Sequence, residues 1–451
     1  MSAGESPTLT TETNPPQPKV TSQCHHPAVP VEGDGGIRYI FAKALDGMGA
    51  QDMLPLVDIS QLSRARPQKN FRVQRMSSPH VDHGSELLRN KENPRILVIA
   101  LRRLGDVLLT TPLVRSLKRG VPGACIDMLV FRGTEGMLAG NPDVDAITTI
   151  AARPAAKETR DLIRTLWRRY DLAVSTQTGD RPTFLAFVAG RRRAGLVPAQ
   201  GGGGWWKQYA LNLCVPADPD SHRVVELLGL ARALGVPSIP ELVPPAAASE
   251  AGRPQGRYAV LHANPLYRFR RWTDEGWRAL AHALAERRLK VFATGGPDPA
   301  ERAYLDRVWN GVDPPVERLD GKLDWPQLAT LIRGGAVYVG PDTSMTHLAA
   351  ATGCPTIGLY GPASPHVIGP WPIGGLDRPW ARAGTIQRRG NVWVVQNPLP
   401  CLPCERLGCE GHYESRSQCL DELPARQVLA AVDQALATVT TGVAPERVPS
   451  A

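Results

Sequence analysis

From residue 94 onward, short apolar runs alternate with apolar residues at helical spacing, and this alternation predicts an α/β protein. In the first half of the region, strands are predicted at 95–100, 126–130, 146–150 and 172–175. Helices are predicted near 107–117, over 161–169 and over 222–234. Runs that are apolar throughout are typical of parallel strands buried on both faces. The pattern therefore predicts an open, mostly parallel sheet covered by helices.

A second series of the same kind follows. Strands are predicted at 258–262, 290–293, 336–339 and 356–360. Trp277, Leu280 and Leu284 share a helical face, and Thr273 is a suitable N-cap for that helix. A last helix is predicted over 424–439. The sequence contains no short-period internal repeat. The two series instead predict two similar α/β halves.

Composition divides the chain into segments. The first thirty residues are rich in Pro, Thr, Ser and Gln, which is typical of disorder. Residues 237–256 are rich in Pro and Ala, as expected of an inter-domain linker. The predicted order is a largely disordered extension (1–93), a first domain (94–236), the linker (237–256), a second domain (257–440) with a Cys-rich segment (401–419), and a tail (441–451).

Overall composition and charge restrict the classes of function. The 451 residues are 42% hydrophobic and 21% charged, which is ordinary for a soluble globular protein. The sequence has no apolar run of membrane-spanning length and no secretory signal at its start, so a cytoplasmic location is expected. The net charge of +9 suits nucleic acid, an anionic membrane face or an acidic substrate, or is simply a solubilising surface. No nucleic-acid-binding motif is present, so a specific nucleic-acid reader is not expected.

Two common nucleotide motifs are missing. Neither G-x-G-x-x-G between a strand and a helix nor G-x-x-x-x-G-K-[ST] occurs in the sequence. The sequence therefore gives no motif that supports NAD-linked redox chemistry or nucleotide hydrolysis by a P-loop.

The segment 337–350 predicts an anion site. It reads as a buried strand, a Gly-Pro turn and a helix that opens with Asp342, Thr343, Ser344 and Thr346. The N–H groups and the positive dipole at such a helix start favour a phosphate. Asp342 either caps the helix or holds a sugar hydroxyl. His347, among apolar neighbours, is interpreted as a packed, hydrogen-bonded histidine.

Two further positions carry candidate chemistry. Asp106 follows the first predicted strand, at the edge where open α/β sheets bind ligands. It is either a base for a substrate hydroxyl or the N-cap of the next helix. Arg270 and Arg271 precede Trp272 in a loop after a strand. Their guanidinium groups either clamp a diphosphate or belong to an ordinary exposed loop.

The Cys-rich segment contains Cys401, Cys404, Cys409 and Cys419. A C-x₂-C pair with two further cysteines nearby is a spacing that suits structural zinc or iron. Reduced thiols and a disulfide are the alternatives. Catalysis by such a metal is not expected, because four thiolates would close its coordination sphere.

Several motifs, in order, resemble one family. The segment 95–112 resembles the amino-terminal signature of glycosyltransferase family 9, the ADP-heptose:lipopolysaccharide heptosyltransferases. The segment 340–350 resembles the second signature of the family, and Arg271-Trp272 and 295–297 match further elements. The similarity runs from about residue 94 to about residue 438.

The resemblance implies a GT-B fold, with two Rossmann-like domains and a cleft between them. It implies an acceptor bound by the first domain, a nucleotide sugar bound by the second, and an inverting transfer that needs no metal. Asp106 would be the general base. Residues expected at the acceptor are Arg103 and Gly105. Residues expected at the donor are Arg270, Arg271, Gly295, Asp342, Thr343, Ser344, Thr346 and His347.

Two departures from the family pattern concern the donor. Ser344 stands where the family commonly has Gly, and Arg270 aligns with a phosphate-binding lysine. Arginine keeps the charge but changes the geometry. The predicted function is transfer of a heptose or related sugar from an ADP-sugar to a glycolipid hydroxyl in lipopolysaccharide core assembly, at the inner membrane face. Transfer to a protein hydroxyl and a non-catalytic GT-B binding module are the alternatives.

Overall fold

The computed structural model describes residues 88, 91–199, 206–247 and 254–440. The predicted tail lies outside these residues, as does the predicted extension apart from residue 88 and residues 91–93.

The first half forms a six-stranded sheet in which every strand pairs in parallel with its neighbours. Its strands are β1 (Arg95–Ala100), β2 (Cys125–Phe131), β3 (Ala146–Ile150), β4 (Tyr170–Ser175), β5 (Gly190–Val197) and β6 (Leu213–Pro216). The strand order is β3-β2-β1-β4-β5-β6. Its helices are α1 (Leu104–Gly120), α2 (Ala156–Leu166), α3 (Asp180–Ala189), α4 (Lys207–Ala210) and α5 (Arg223–Ala233).

The second half forms a seven-stranded sheet. Its strands are β7 (Tyr258–Leu261), β8 (Lys290–Ala293), β9 (Glu317–Arg318), β10 (Val337–Pro341), β11 (Thr356–Leu359), β12 (Ile386–Arg389) and β13 (Val392–Val395). The strand order is β12-β13-β11-β10-β7-β8-β9, and only β12 pairs antiparallel. Its α-helices are α6 (Asp274–Glu286), α7 (Pro299–Trp309), α8 (Trp325–Gly334), α9 (Ser344–Thr352), α10 (Pro365–Ile368), α11 (Gln418–Asp421) and α12 (Ala425–Thr440). The predicted α/β class is confirmed in both halves.

Some predicted elements differ from the structure. The helix predicted over 161–169 is α2, which begins five residues earlier and ends at Leu166. The sequence analysis missed α3, β5 and β6 altogether. Most residues of α3 are buried, so it lacks a polar stripe, and β5 has three consecutive arginines directly after its first residue. Neither segment shows the periodicity from which a helix or a strand is predicted.

The two sheets place their switch points opposite each other. Strand order reverses beside β1 in the first sheet and beside β7 in the second, and ligands bind at the carboxyl ends of strands at such points. One apolar core cluster joins the halves, with Leu108 of α1, Val260 of β7 and Leu348 of α9 among its buried members. The site-bearing helices α1 and α9 therefore pack against each other.

The described part of the predicted linker lies along the first domain. Backbone N–H groups of Ile239 and Val243 donate to the hydroxyls of Ser116 and Thr111 on α1, at 2.9 and 3.0 Å. Leu242 is buried between these two contacts. This part of the segment is therefore packed against α1.

Candidate active site

A cleft of about 960 Å³ lies between the two sheets and is lined by residues of both. Ten of the predicted site residues line it: Arg103, Gly105, Asp106, Arg270, Arg271, Gly295, Asp342, Thr343, Ser344 and His347. The first three come from the start of α1, and the others come from loops and a helix start of the second half. The structure thus brings together residues that the sequence separates widely.

Asp106 is the third residue of α1, whose N-cap position is occupied by Arg103. The alternative interpretation of Asp106 as an N-cap is therefore wrong. Its carboxylate is partly exposed, and its Oδ1 lies 3.5 Å from Nη1 of Arg102 and 4.0 Å from Nε of Arg223. The backbone of α1 thus presents this carboxylate to the cleft beside two cations.

Arg223 is a site residue that the sequence analysis missed. It follows His222, the N-cap of α5, and its side chain is buried. Its Nη2 donates to the carbonyl of Thr176 at 2.6 Å, and its Nη1 pairs with Glu226. Burial lowers the pKa of this guanidinium, and the Glu226 carboxylate opposes that effect. No local pattern indicates Arg223, because only the packing of α5 beside α1 brings it to Asp106.

Asp342 follows the last residue of β10, and Thr343 is the N-cap of α9. The alternative interpretation of Asp342 as the cap is therefore wrong. The Asp342 carboxylate is buried and pairs with Nη1 of Arg270 at 3.0 Å. The same Nη1 donates to the Asp342 carbonyl at 2.9 Å. Ser344, the first residue of α9, lies beside this pair, so the helix start and a guanidinium face the same part of the cleft.

His347 is buried one turn into α9, as predicted of a packed histidine. Its Nδ1 makes no hydrogen bond to any residue that the structure describes, so the predicted hydrogen bonding is not met at that atom. Burial lowers the pKa of the imidazole, while the carboxylates of Asp342 and Asp106 act in the opposite direction. The ring is therefore neutral near pH 7 and retains an unused polar atom beside the cleft.

Arg271 and Gly295 form the far side of the cleft. The guanidinium carbon of Arg271 lies 4.1 Å from the centroid of the Tyr304 ring, a cation–π geometry. A β-carbon on Gly295 would stand 2.3 Å from Cδ1 of Leu305 and 3.0 Å from Oδ1 of Asp320. A side chain at this position would require Leu305 to move, and glycine leaves backbone open to the cleft.

Thr346 does not reach the cleft. Its hydroxyl is buried, donates to the carbonyl of Pro341 at 2.5 Å and lies 3.2 Å from the hydroxyl of Tyr338. These contacts tie the first turn of α9 to β10. Thr346 therefore supports the helix start from within, which differs from the predicted contact with a donor.

Arg103 contacts the second domain. Its guanidinium hydrogen-bonds to the hydroxyl of Tyr267 and lies 5.0 Å from the centroid of that ring. Tyr267 in turn stacks between Phe269 and Tyr413, with centroid distances of 5.5 and 4.7 Å. The Cys-rich segment, which carries Tyr413, therefore braces the loop that presents Arg270.

The four cysteines of that segment do not form a metal centre in this structure. Across the described residues, no group of three or more His, Cys, Asp or Glu side chains could hold a metal ion. Cys419 is buried on α11, whereas Cys401 and Cys409 are exposed. Burial, followed by the nearby thiols, raises the pKa of Cys419 to about 12. The predicted structural zinc or iron site is therefore unsupported.

The chain is similar to known glycosyltransferases in sequence. A family model described as glycosyltransferase family 9 (heptosyltransferase) matches residues 159–374. The chain is 29% identical over 362 residues to lipopolysaccharide heptosyltransferase 3 of Escherichia coli, covering 76% of this chain and 99% of that protein. It is 27% identical to the enzyme of the same description from E. coli strain K12, covering 78% and 98% of the two chains.

Solved structures have the same fold. The family 9 glycosyl transferase of Veillonella parvula superposes with a TM-score of 0.61 at 18% identity, covering 77% of this chain and 98% of that one. E. coli ADP-heptose lps heptosyltransferase II superposes with a TM-score of 0.59 at 19% identity, covering 77% and 99%.

Two Rossmann-like domains with a cleft between their switch points define the GT-B fold. The in-order signatures and the sequence relatives are more specific than the fold. The family model and the sequence relatives both point to glycosyltransferase family 9.

Within the residues that the structure describes, no helix is both long enough and apolar enough to cross a membrane.

Proposed function

We propose that this enzyme transfers a heptose, or a closely related sugar, from an ADP-sugar to a hydroxyl of a lipopolysaccharide core glycolipid, with inversion at the anomeric carbon. The proposal rests on the relatives at 29% and 27% identity, both described as lipopolysaccharide heptosyltransferase 3. We further propose that the enzyme meets its acceptor at the inner membrane face.

One observation carries the proposal: a carboxylate of one domain and a preorganised anion site of the other line the same cleft. Asp106 comes from the start of α1, while Arg270 and Ser344 come from the second domain. The starts of the two helices are close enough that a β-carbon on Gly105 would stand 3.5 Å from Cα of Ser344. An acceptor hydroxyl near Asp106 and a diphosphate near Ser344 would therefore be neighbours.

In the proposed reaction, the acceptor oxygen attacks the anomeric carbon as its proton passes to the Asp106 carboxylate. The bond from the anomeric carbon to the diphosphate oxygen breaks, and the nucleotide diphosphate leaves with the electron pair. Positioned donors are most effective where charge develops. The backbone N–H groups at the start of α9 and the Arg270 guanidinium supply them here.

The other donor contacts follow from the same geometry. Arg271 and the open backbone at Gly295 line the cleft beyond Arg270, where the nucleoside would lie. His347, Asp342 and Thr343 line the cleft near the proposed sugar and phosphate positions. Arg103 and Gly105 lie on the acceptor side, and Arg103 also joins the two domains through Tyr267.

The first test is a calorimetric titration with ADP, ADP-heptose, UDP-sugars and GDP-sugars, followed by turnover with a core-glycolipid acceptor. We expect at least tenfold preference for the ADP compounds, with turnover. Preference for another nucleotide would change the donor, turnover on a protein acceptor would change the acceptor, and binding of none would favour a non-catalytic module.

The second test is Asp106→Asn. A general base contributes about 10²- to 10⁴-fold, so turnover falls by that order while the dissociation constant for ADP stays within twofold. Asp161→Asn, which changes an exposed carboxylate on α2, is the matched control and should retain wild-type turnover. Wild-type turnover in Asp106→Asn would remove Asp106 from the role of base.

A further inference from the structure

Two guanidinium groups lie beside the same oxygen of Asp106. Nη1 of Arg102 is 3.5 Å from Oδ1, and Nε of Arg223 is 4.0 Å from that atom. The two cations differ in burial, because 46% of the Arg102 side chain is exposed and only 9% of the Arg223 side chain. Solvent screens Arg102, whereas Arg223 acts on the carboxylate from within the protein.

Two nitrogens of the Arg223 guanidinium have partners, and the third has no hydrogen bond within the part of the chain that the structure describes. Nη2 donates to the Thr176 carbonyl, and Nη1 pairs with Glu226. Nε is buried and has no hydrogen-bond partner among the described residues. A buried N–H without a partner destabilises the protein, so it favours any nearby acceptor. The Oδ1 atom of Asp106 is the anionic acceptor that lies next to it.

The position of Arg223 also depends on the second domain. The preceding residue, His222, has Nε2 2.9 Å from the carbonyl of Gly369, and its ring lies 4.8 Å from that of Trp371. Both partners belong to the second half of the chain. The start of α5 is therefore attached to the donor domain, although α5 itself belongs to the acceptor domain.

We propose that Arg223 is the positioning residue of the catalytic base. Its buried charge, 4.0 Å from Oδ1 of Asp106, holds that oxygen, which leaves Oδ2 to accept the proton of the acceptor hydroxyl. Through His222, this contact requires the two domains to be docked, so the base is oriented only when the donor domain is in place. The inference rests on the proposed role of Asp106.

Arginine suits this role for a physical reason. Its planar guanidinium presents N–H groups in several fixed directions, so it can bind Thr176 and Glu226 while its charge also faces Asp106. A lysine ammonium keeps the charge, but it has one nitrogen and cannot reproduce the planar arrangement of N–H groups. Arg223→Lys should therefore separate the geometric contribution from the charge.

The test compares Arg223→Lys and Arg223→Met with Glu226→Gln. The control variant removes the buried pair with Glu226 and leaves the contact with Asp106. We expect kcat to fall about tenfold in Arg223→Lys and at least thirtyfold in Arg223→Met, with the donor KM and the ADP dissociation constant within twofold. Glu226→Gln should lower the melting temperature but change kcat less than threefold.

A double variant distinguishes positioning from scaffolding. If Arg223 acts through Asp106, Asp106→Asn/Arg223→Met has the same residual single-turnover rate as Asp106→Asn, within threefold. Losses that multiply in the double variant, or an equal kcat loss in Glu226→Gln, would overturn the inference. If Arg223→Met does not fold, Arg223→Lys still tests the inference, because it keeps a buried cation opposite Glu226. A fall in kcat with an unchanged donor KM would then support positioning, and an unchanged kcat would overturn it.

Failure of the base assignment has a different signature. Wild-type turnover in Asp106→Asn alone would overturn both the role of Asp106 and this inference. Loss of turnover in Asp106→Asn, together with an unchanged kcat in both Arg223 variants, would overturn the inference and leave the proposed base in place.

Discussion

Gly105 of the first domain packs directly against the ring of His347 in the second. A β-carbon on Gly105 would stand 3.3 Å from Cδ2 of His347 and 3.5 Å from Cα of Ser344. The start of α1, with Asp106, therefore lies so near the start of α9 that a β-carbon at Gly105 would make a tight contact with His347. This contact sets the distance between the proposed base and the proposed diphosphate site.

Gly105→Ala tests that distance. Alanine favours a helix over glycine by about 1 kcal/mol, so the melting temperature should be unchanged or higher. The added methyl group crowds His347, so we expect turnover to fall severalfold, because a shift of α1 against α9 impairs the alignment of reacting groups. The measurement is kcat beside thermal unfolding. Wild-type kcat in Gly105→Ala would show that the contact can relax without loss.

Arg270 is expected to bind the diphosphate. Hydrogen bonds to charged groups contribute about 1.5–3 kcal/mol, so Arg270→Ala should weaken ADP binding about 10- to 100-fold. Arg270→Lys should bind with intermediate affinity, since it retains the charge but not the double contact with Asp342. Calorimetry with ADP measures both. Arg268→Ala, an exposed arginine of the same loop, is the control and should bind like the wild type.

Thr346 is expected to stabilise the fold without contacting the donor. Thr346→Val removes the hydroxyl that binds Pro341 and faces Tyr338, so the free energy of unfolding should fall by about 1–3 kcal/mol. The ADP dissociation constant should stay within twofold. Denaturant unfolding and calorimetry give the two numbers. A tenfold loss of ADP affinity at unchanged stability would restore Thr346 as a donor contact.

His222 is expected to make stability depend on pH. Burial lowers its pKa to about 4 from an ordinary value of 6.5. The unfolded chain therefore takes up this proton first as the pH falls, so the stabilisation is complete above pH 6.5 and is lost between 6.5 and 4. A shift of this size corresponds to about 3 kcal/mol at most.

The measurement is the free energy of unfolding of wild type and His222→Gln between pH 7.5 and 4.5. Below pH 6.5, the free energy of unfolding should depend less steeply on pH in the variant than in the wild type. Part of the dependence that remains comes from two other buried histidines, His262 and His347, because burial lowers their pKa values too. His282→Gln changes an exposed histidine on α6 and should retain the full slope. An unchanged slope in His222→Gln would contradict the prediction.

Much of the fold could be read from local patterns. The apolar run of β1 and the Thr273 cap of α6 are confirmed, because both depend on residues next to each other in the chain. The positions of Asp106 and Asp342 just beyond strand ends also follow from local sequence. Their roles as caps do not, since the N-cap of α1 is Arg103, three residues before Asp106, and the N-cap of α9 is Thr343, one residue after Asp342.

The sequence by itself determined the α/β class, the two-part organisation and the residues that follow β1, β7 and β10. These features depend on periodicity and on motifs that lie within about twenty residues. Only the tertiary structure decided that Arg223 lies beside Asp106, that Thr346 points into the core, and that Gly105 contacts His347. Those relationships arise from packing between helices of different segments, and packing depends on shape and burial in three dimensions rather than on order along the chain.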